Sequence, residues 1–175
     1  FDADPRLLYV STHASPFYPG SGGYTQTGAG EAKGTMVNIP LPHGAGDAAF
    51  EAAYERVVVP ALERFAPQLV VVSCGWDAHV RDPLAPLNVT TEGYTNVARR
   101  VIEAADALCE GRLVLALEGG YDEHALAWSA GALCELLLDE QPTPDPQPVA
   151  PPASELPPPE QIDELLDAVR SAVGL

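Results

Sequence analysis

Apolar residues along this chain fall into two kinds of pattern. Leu7–Ser11, Leu69–Ser73 and Leu113–Leu117 are short continuous runs of β-branched and aliphatic side chains. Pro67, Gly75 and Gly111 punctuate the later two, which predicts strands buried on both faces, as in a parallel sheet. Between the runs, apolar positions recur at helical spacing. Phe50, Tyr54, Val57, Val58, Ala61, Leu62 and Phe65 predict a helix that starts at Asp47 as its N-cap and is kinked by Pro60. Thr90 caps a second helix of roughly twenty residues closed by Gly111. A third covers Asp122–Asp139, with Leu126, Leu133, Leu136 and Leu137 turned inward. The order β, α, β, α, β, α implies right-handed crossovers and a three-layer α/β/α fold around a mostly parallel sheet.

Two stretches break the pattern. Tyr18–Lys33 carries Gly20, Gly22, Gly23, Gly28 and Gly30, a loop long enough to have a functional use. From Gln141 the composition changes and prolines crowd between Pro142 and Pro159. The organisation expected is therefore a unit over 1–140, a semi-rigid Pro-rich linker over 141–159 and a short amphipathic segment over 160–175. That last segment places Ile162, Leu165, Leu166, Val169 and Val173 on one face, as a packing arm, a partner-binding helix or a frayed end.

With 175 residues and 46% hydrophobic content, the chain can bury one good core. Its 25 acidic against 9 basic side chains give a formal charge of −16, which repels nucleic acid and anionic membranes and favours a cationic ligand. Cys74, Cys109 and Cys134 are odd in number and lack CxxC spacing, so neither a disulfide framework nor a cysteine zinc site is indicated, and a reducing cytoplasm fits. No apolar run approaches the ~20 residues that cross a bilayer. The sequence leaves self-association open.

Candidate chemistry lies in two loops at the ends of predicted strands, Gly75-Trp76-Asp77-Ala78-His79 and Glu118-Gly119-Gly120-Tyr121. In an open parallel sheet, functional groups collect just beyond the carboxyl ends of strands. Asp77 there has two readings: a turn-capping carboxylate, or one placed to bind a metal or orient an imidazole. His79 reads as a hydrogen-bonded structural histidine, and Asp82, before Pro83, as a turn former. Tyr121 follows two glycines that let backbone approach a ligand closely. Its phenol either donates to a developing oxyanion or packs on the sheet rim. His13, His43 and His124 have no partners at ligand spacing and read as structural or solvated, as do Lys33 and Arg81. Phe17-Tyr18-Pro19-Gly20 forms either the aromatic edge of a groove or a packed turn.

Several motifs in order, Ser11-Thr12-His13, Phe17-Tyr18-Pro19-Gly20-Ser21-Gly22, Asn38-Ile39-Pro40-Leu41-Pro42, Gly75-Trp76-Asp77-Ala78-His79 with Asp82-Pro83-Leu84, and Leu117-Glu118-Gly119-Gly120-Tyr121, resemble the C-terminal half of the histone deacetylase superfamily. The likeness extends over about residues 1–139, and its forms resemble the class II branch and its bacterial relatives, acetylpolyamine amidohydrolases included.

The resemblance implies an arginase/deacetylase-like fold and a zinc-dependent deacetylase. Asp77 matches a zinc-binding aspartate, and Tyr121 the tyrosine that hydrogen-bonds the substrate carbonyl and then the tetrahedral oxyanion. Tyr18 matches an aromatic wall of the acyl-lysine tunnel, Gly119 and Gly120 its glycine-lined side, and Leu84 a residue at its rim. Ser11 and Thr12 correspond to a structural potassium site, and Phe1, Asp4 and Leu7 to backbone ligands of a second monovalent cation. The implied substrate is an acylated lysine or small acylated amine. Leu84 offers no acidic group for a polyamine, while the net charge of −16 pulls mildly towards one. The family's Asp-x-His zinc pair and tandem histidines match nothing here, so the chain is expected to be part of a longer enzyme and inactive alone. The competing expectation is a non-catalytic remnant that keeps the fold as an interaction module. Trp76 stands where phenylalanine is common.

Overall fold

The computed structural model describes all 175 residues. Its four strands form two parallel pairs: β1 (Tyr9–Ala14) beside β2 (Met36–Leu41), and β3 (Val70–Gly75) beside β4 (Leu113–Gly119). Five α-helices follow, α1 (Asp47–Ala53), α2 (Val59–Phe65), α3 (Thr91–Cys109), α4 (Glu123–Leu137) and α5 (Pro159–Val173). The strands are parallel and the later ones alternate with helices, which is an α/β architecture. The β1–β2 connection is instead the glycine-rich loop, with a single 3-10 turn at Gly30–Ala32.

β1 starts later than its apolar run predicts. The Leu7 amide is committed to a turn on the Asp4 carbonyl (3.2 Å), so pairing begins with Tyr9 opposite Met36 and continues to Ala14 opposite Leu41. β3 and β4 in turn run past their apolar cores to Gly75 and Gly119, which brings glycine into the last rung.

The helices also differ from their predicted starts. Gly46 is the N-cap of α1, and Asp47 is its first residue. The Asp47 carboxylate reaches the start of α3, where Oδ1 accepts the Thr90 N–H (2.7 Å) and Oδ2 the Thr90 hydroxyl (2.6 Å). Thr90 Oγ1 accepts the Gly93 N–H at 3.1 Å, so the predicted Thr90 cap is present and is itself anchored. A Cβ on Gly93 would lie 2.0 Å from Asp47 Oδ1, which makes that glycine a condition of the contact. A π-helical stretch, Tyr54–Val58, lies between α1 and α2 and puts Pro60 just beyond it; the Arg56 carbonyl, which a residue with an N–H at position 60 could have bonded, is taken instead by the Arg170 guanidinium.

The core is one contiguous cluster that includes Val37, Ile39 and Leu41 of β2, Phe50 and Ala53 of α1, and Val97 and Val101 of α3. Val70, Val72, Leu113 and Leu115 face it. Val71 (65% exposed), Val114 and Leu117 do not, so the expectation of strands buried on both faces is corrected: no helix of this chain covers the other side of the β3–β4 pair. Leu137 is likewise exposed, because the buried stripe of α4 is Ala125, Ser129, Ala132 and Leu133. No helix is long and apolar enough to cross a membrane.

Helix α5 is a packing arm. Ile162, Leu166, Val169 and Val173 are buried in the core cluster, and α5 lies against β2 and the 54–58 turn. Arg56 pairs with Asp163 and Asp167 along its outer edge. The Arg64 guanidinium donates to the carbonyls of Val173 (2.8 Å) and Gly34 (2.9 Å), which satisfies a carbonyl that the helix end leaves without a partner. A segment of 15 residues is marginal alone, so its helicity depends on this docking. Leu166 is fully buried, and Leu166→Ala is expected to cost ~2–5 kcal/mol in urea unfolding, with loss of α5 amide protection.

Candidate active site

Parallel pairing delivers the ends of β3 and β4 to the same edge of the molecule, where the register shifts at Cys74 and the last rung sets Gly75 opposite Gly119. The Trp76 N–H extends the contact by donating to the Gly119 carbonyl at 3.0 Å. Asp77 explains the glycines. A Cβ on Gly75 would lie 2.9 Å from Asp77 Oδ1, and one on Gly119 would lie 3.3 Å from Asp77 Cγ. Gly120 has φ +120°, and a Cβ there would meet the Trp76 Cβ at 2.8 Å.

The Asp77 carboxylate is half-buried, enters no ion pair and is reached only by its own backbone amide. Burial raises its pKa, the backbone hydrogen bond works the other way, and the charges of Asp82 and Glu118 add to the rise. A carboxylate partly withdrawn from water beside like charges is a fitting donor to a cation. No group of three or more His, Cys, Asp or Glu side chains able to hold a metal forms within these residues. A catalytic zinc takes three protein ligands, so Asp77 fits as one of them and does not suffice.

Tyr94, the fourth residue of α3, is the platform under this loop. Its ring meets Trp76 edge-on (5.0 Å between centroids, 70°) and stacks on His79 (6.4 Å, 2°), and its hydroxyl accepts the Ala78 N–H at 2.9 Å. Burial is the main cause that raises its phenol pKa well above the ordinary value, so it stays neutral. Trp76 is buried in this contact. No motif or spacing in the sequence marks Tyr94.

His79 is structural and buried. Its Nδ1 accepts the Arg81 N–H (3.1 Å), which leaves the proton on Nε2 to face Thr91 Oγ1 at 3.3 Å. Burial pushes its pKa down and keeps the ring neutral. Thr91 Oγ1 donates onward to Asp145 Oδ2 (3.1 Å), while Asp145 Oδ1 pairs with His124 (2.8 Å) and accepts the Gln147 N–H (2.8 Å). The Arg81 guanidinium donates to the Gln147 carbonyl at 2.7 Å. The Pro-rich stretch is thus fastened across the loop after β3. Burial opposes charge on Asp145, but the hydrogen bonds from Gln147, His124 and Thr91 outweigh it and hold its pKa below the ordinary value.

Among the other predicted residues, Tyr121 is 59% and Leu84 58% exposed, and Asp82 joins them: its carboxylate accepts the Leu84 N–H (2.9 Å) and the Tyr121 N–H (2.8 Å). Tyr18, 90% exposed, makes no hydrogen bond with this group. Its turn closes on itself through Gly20 N–H to the Phe17 carbonyl (2.7 Å). His13 pins that loop at the Gly22 carbonyl (3.0 Å) and His43 at the Pro16 carbonyl (2.8 Å). Ser11 Oγ is hydrogen-bonded to His13 Nδ1 (2.9 Å), and Thr12 bonds the Tyr54 hydroxyl. Phe1, Asp4 and Leu7 lie in successive turns, where the Asp4 carboxylate is committed to Arg6 and its pKa lowered to about 2.

A family model described as Histone deacetylase domain matches residues 1–137. The chain is 42% identical over 140 residues to histone deacetylase 14, chloroplastic, of Arabidopsis thaliana, covering 80% of this chain and 33% of that protein. It is 42% identical over 130 residues to a probable deacetylase of Archaeoglobus fulgidus, covering 74% and 36%. The solved structure of the histone deacetylase Clr3 superposes with a TM-score of 0.82 at 32% identity, over 99% of this chain and 28% of that one. The chain therefore spans about a third of the length of these two curated relatives.

Asp145 gives a pH test of the fastening. Because its folded pKa is lowered, its stabilisation is present above the ordinary carboxylate value of about 4 and is lost as the pH falls through the folded value. Asp145→Ala should lower thermal stability and tail amide protection near neutral pH, and the difference from the parent should shrink in acid.

Proposed function

The chain belongs to the histone deacetylase family, a family of deacetylase-type hydrolases, and from that membership we propose that it forms the C-terminal portion of a zinc-dependent deacetylase domain. The proposed reaction is hydrolysis of the amide of acetyl-lysine or a related acylated amine. One observation carries the reading: the half-buried Asp77 carboxylate beside Gly75 and Gly119, paired with no side chain and one loop away from an exposed tyrosine.

In this reading Asp77 is one of three protein ligands. Bound zinc would polarise the amide carbonyl and activate water. The Tyr121 phenol donates a hydrogen bond to the carbonyl oxygen and holds it as negative charge develops, a contact that strengthens towards the transition state. Gly119 and Gly120 are proposed to line one side of the acyl tunnel, with Tyr18 as an aromatic wall and Leu84 at the rim. A neutral Leu84 favours acyl-lysine or a small neutral amide. Ser11 and Thr12 are proposed to supply a potassium site, and Phe1, Asp4 and Leu7 the backbone ligands of a second monovalent cation. The 175 residues are expected to be inactive alone.

A second reading is a non-catalytic module that keeps the fold for binding. Within these residues no three-ligand set forms. Against the module reading stands Asp77 itself, since an unpaired, partly buried carboxylate destabilises a fold that makes no use of it.

In the full-length protein, metal analysis with acetyl-lysine and acetylpolyamine hydrolysis separates the two. Asp77→Ala should lose zinc. Tyr121→Phe should keep zinc and lose turnover by about a hundredfold or more. Full zinc occupancy in the first variant, or undiminished turnover in the second, rules the deacetylase assignment out.

A further inference from the structure

The turn at Asp82-Pro83-Leu84 asks only for one acceptor, which Asn or Ser supplies as well as Asp. The structure uses both carboxylate oxygens, on different loops. Oδ1 accepts the Leu84 N–H at 2.9 Å and closes the turn. Oδ2 accepts the Tyr121 N–H at 2.8 Å, a partner 39 residues away. Asp82 is itself held, its amide donating to the His79 carbonyl at 2.8 Å.

Tyr121 has little else to place it. The β3–β4 ladder ends at Gly119, Gly120 follows at φ +120°, and Asp122 already belongs to α4 as its N-cap, accepting the Ala125 N–H at 2.7 Å. The Tyr121 side chain is mostly exposed, so packing does not set its course. Two bonds cross between the loops, one on each side of Gly120: Trp76 N–H to the Gly119 carbonyl, and Tyr121 N–H to Asp82. The second acts on the residue whose phenol matters.

We propose that Asp82 is a positioning residue for Tyr121, its second carboxylate oxygen fixing the tyrosine backbone relative to the loop that carries Asp77. The inference rests on the deacetylase reading, in which the phenol must meet an oxygen held at a fixed place. A shift of the backbone by a fraction of an ångström spoils that meeting without touching metal or substrate affinity. Asn at this position keeps the turn acceptor but offers Tyr121 an NH2 group, and Ser closes the turn through its hydroxyl and reaches no further.

The test uses Asp82→Asn, Asp82→Ser, Tyr121→Phe and the Asp82→Asn/Tyr121→Phe double variant of the full-length protein. Hydrogen exchange at the Tyr121 amide reads the bond without reference to activity. Both Asp82 variants should speed it by about tenfold or more while the Leu84 amide stays protected. In steady-state hydrolysis of an acetyl-lysine peptide, kcat should fall by about 10- to 100-fold with KM and zinc content near the parent's. In the Tyr121→Phe background, Asp82→Asn should add almost nothing, because it acts through the missing phenol. Ser stands in if the Asn variant folds poorly. Parental kcat in the Asn and Ser variants, unchanged exchange at Tyr121, or losses that multiply in the double variant overturn the proposal and return Asp82 to a turn former. If Tyr121→Phe is itself as active as the parent, the deacetylase reading fails and this inference with it.

Discussion

At the end of β3 and β4 the Asp77 side chain lies so close to the last rung that a Cβ on Gly75 would meet its Oδ1 at 2.9 Å and one on Gly119 would crowd its Cγ at 3.3 Å. The rest of the site follows from that approach. Parallel pairing brings the strand ends level, and the glycine rung leaves the Asp77 carboxylate space beside both strands. Gly120 repeats the device one residue on, where its bare backbone lies on Trp76. Trp76 in turn needs the Tyr94 ring beneath it, and Tyr94 stands where it does because α3 is started by Thr90. A capping threonine thus positions a loop through a ring two contacts away.

The elements legible in the sequence are those determined by neighbours in the chain. Thr90 caps the helix it was expected to cap, since an N-cap acts on amides two or three residues ahead, and Asp122, read as the first residue of its helix, is that helix's cap. The later strands were visible because a short apolar run between breakers is a local signal. Their exposed faces were not, because Val71 and Val114 have the same composition whether or not a layer covers them. Of the site, the two loops and their glycines could be found from residue order, and belonging to the family agrees with them.

The acidic residues were the harder case. Asp47, Asp82 and Asp145 all sit where an aspartate has an ordinary local use, and each one's consequential partner is distant: Thr90 for Asp47, Tyr121 for Asp82, and His124 and Thr91 for Asp145. Local pattern is satisfied by the cap or turn and gives no reason to look further. These carboxylates are the cross-links of the molecule. Each uses both oxygens, which separates them chemically from asparagine, and each joins elements that the hydrophobic pattern treats as independent.

The fastening of residues 143–147 bears on the far end of the chain. Thr143 is bound to Glu135, and Asp145 to His124 and Thr91, so the tether to α5 is held where it leaves α4 and is stiffened by proline over what remains. A stiff tether of fixed origin keeps α5 near its groove at high effective concentration, so a helix too short to persist alone re-docks as an intramolecular step. Release of α5 is then a local opening event that precedes global unfolding. Loosening the acidic anchor at Asp145 would lengthen the free tether and expose the face of β2 under α5 more often.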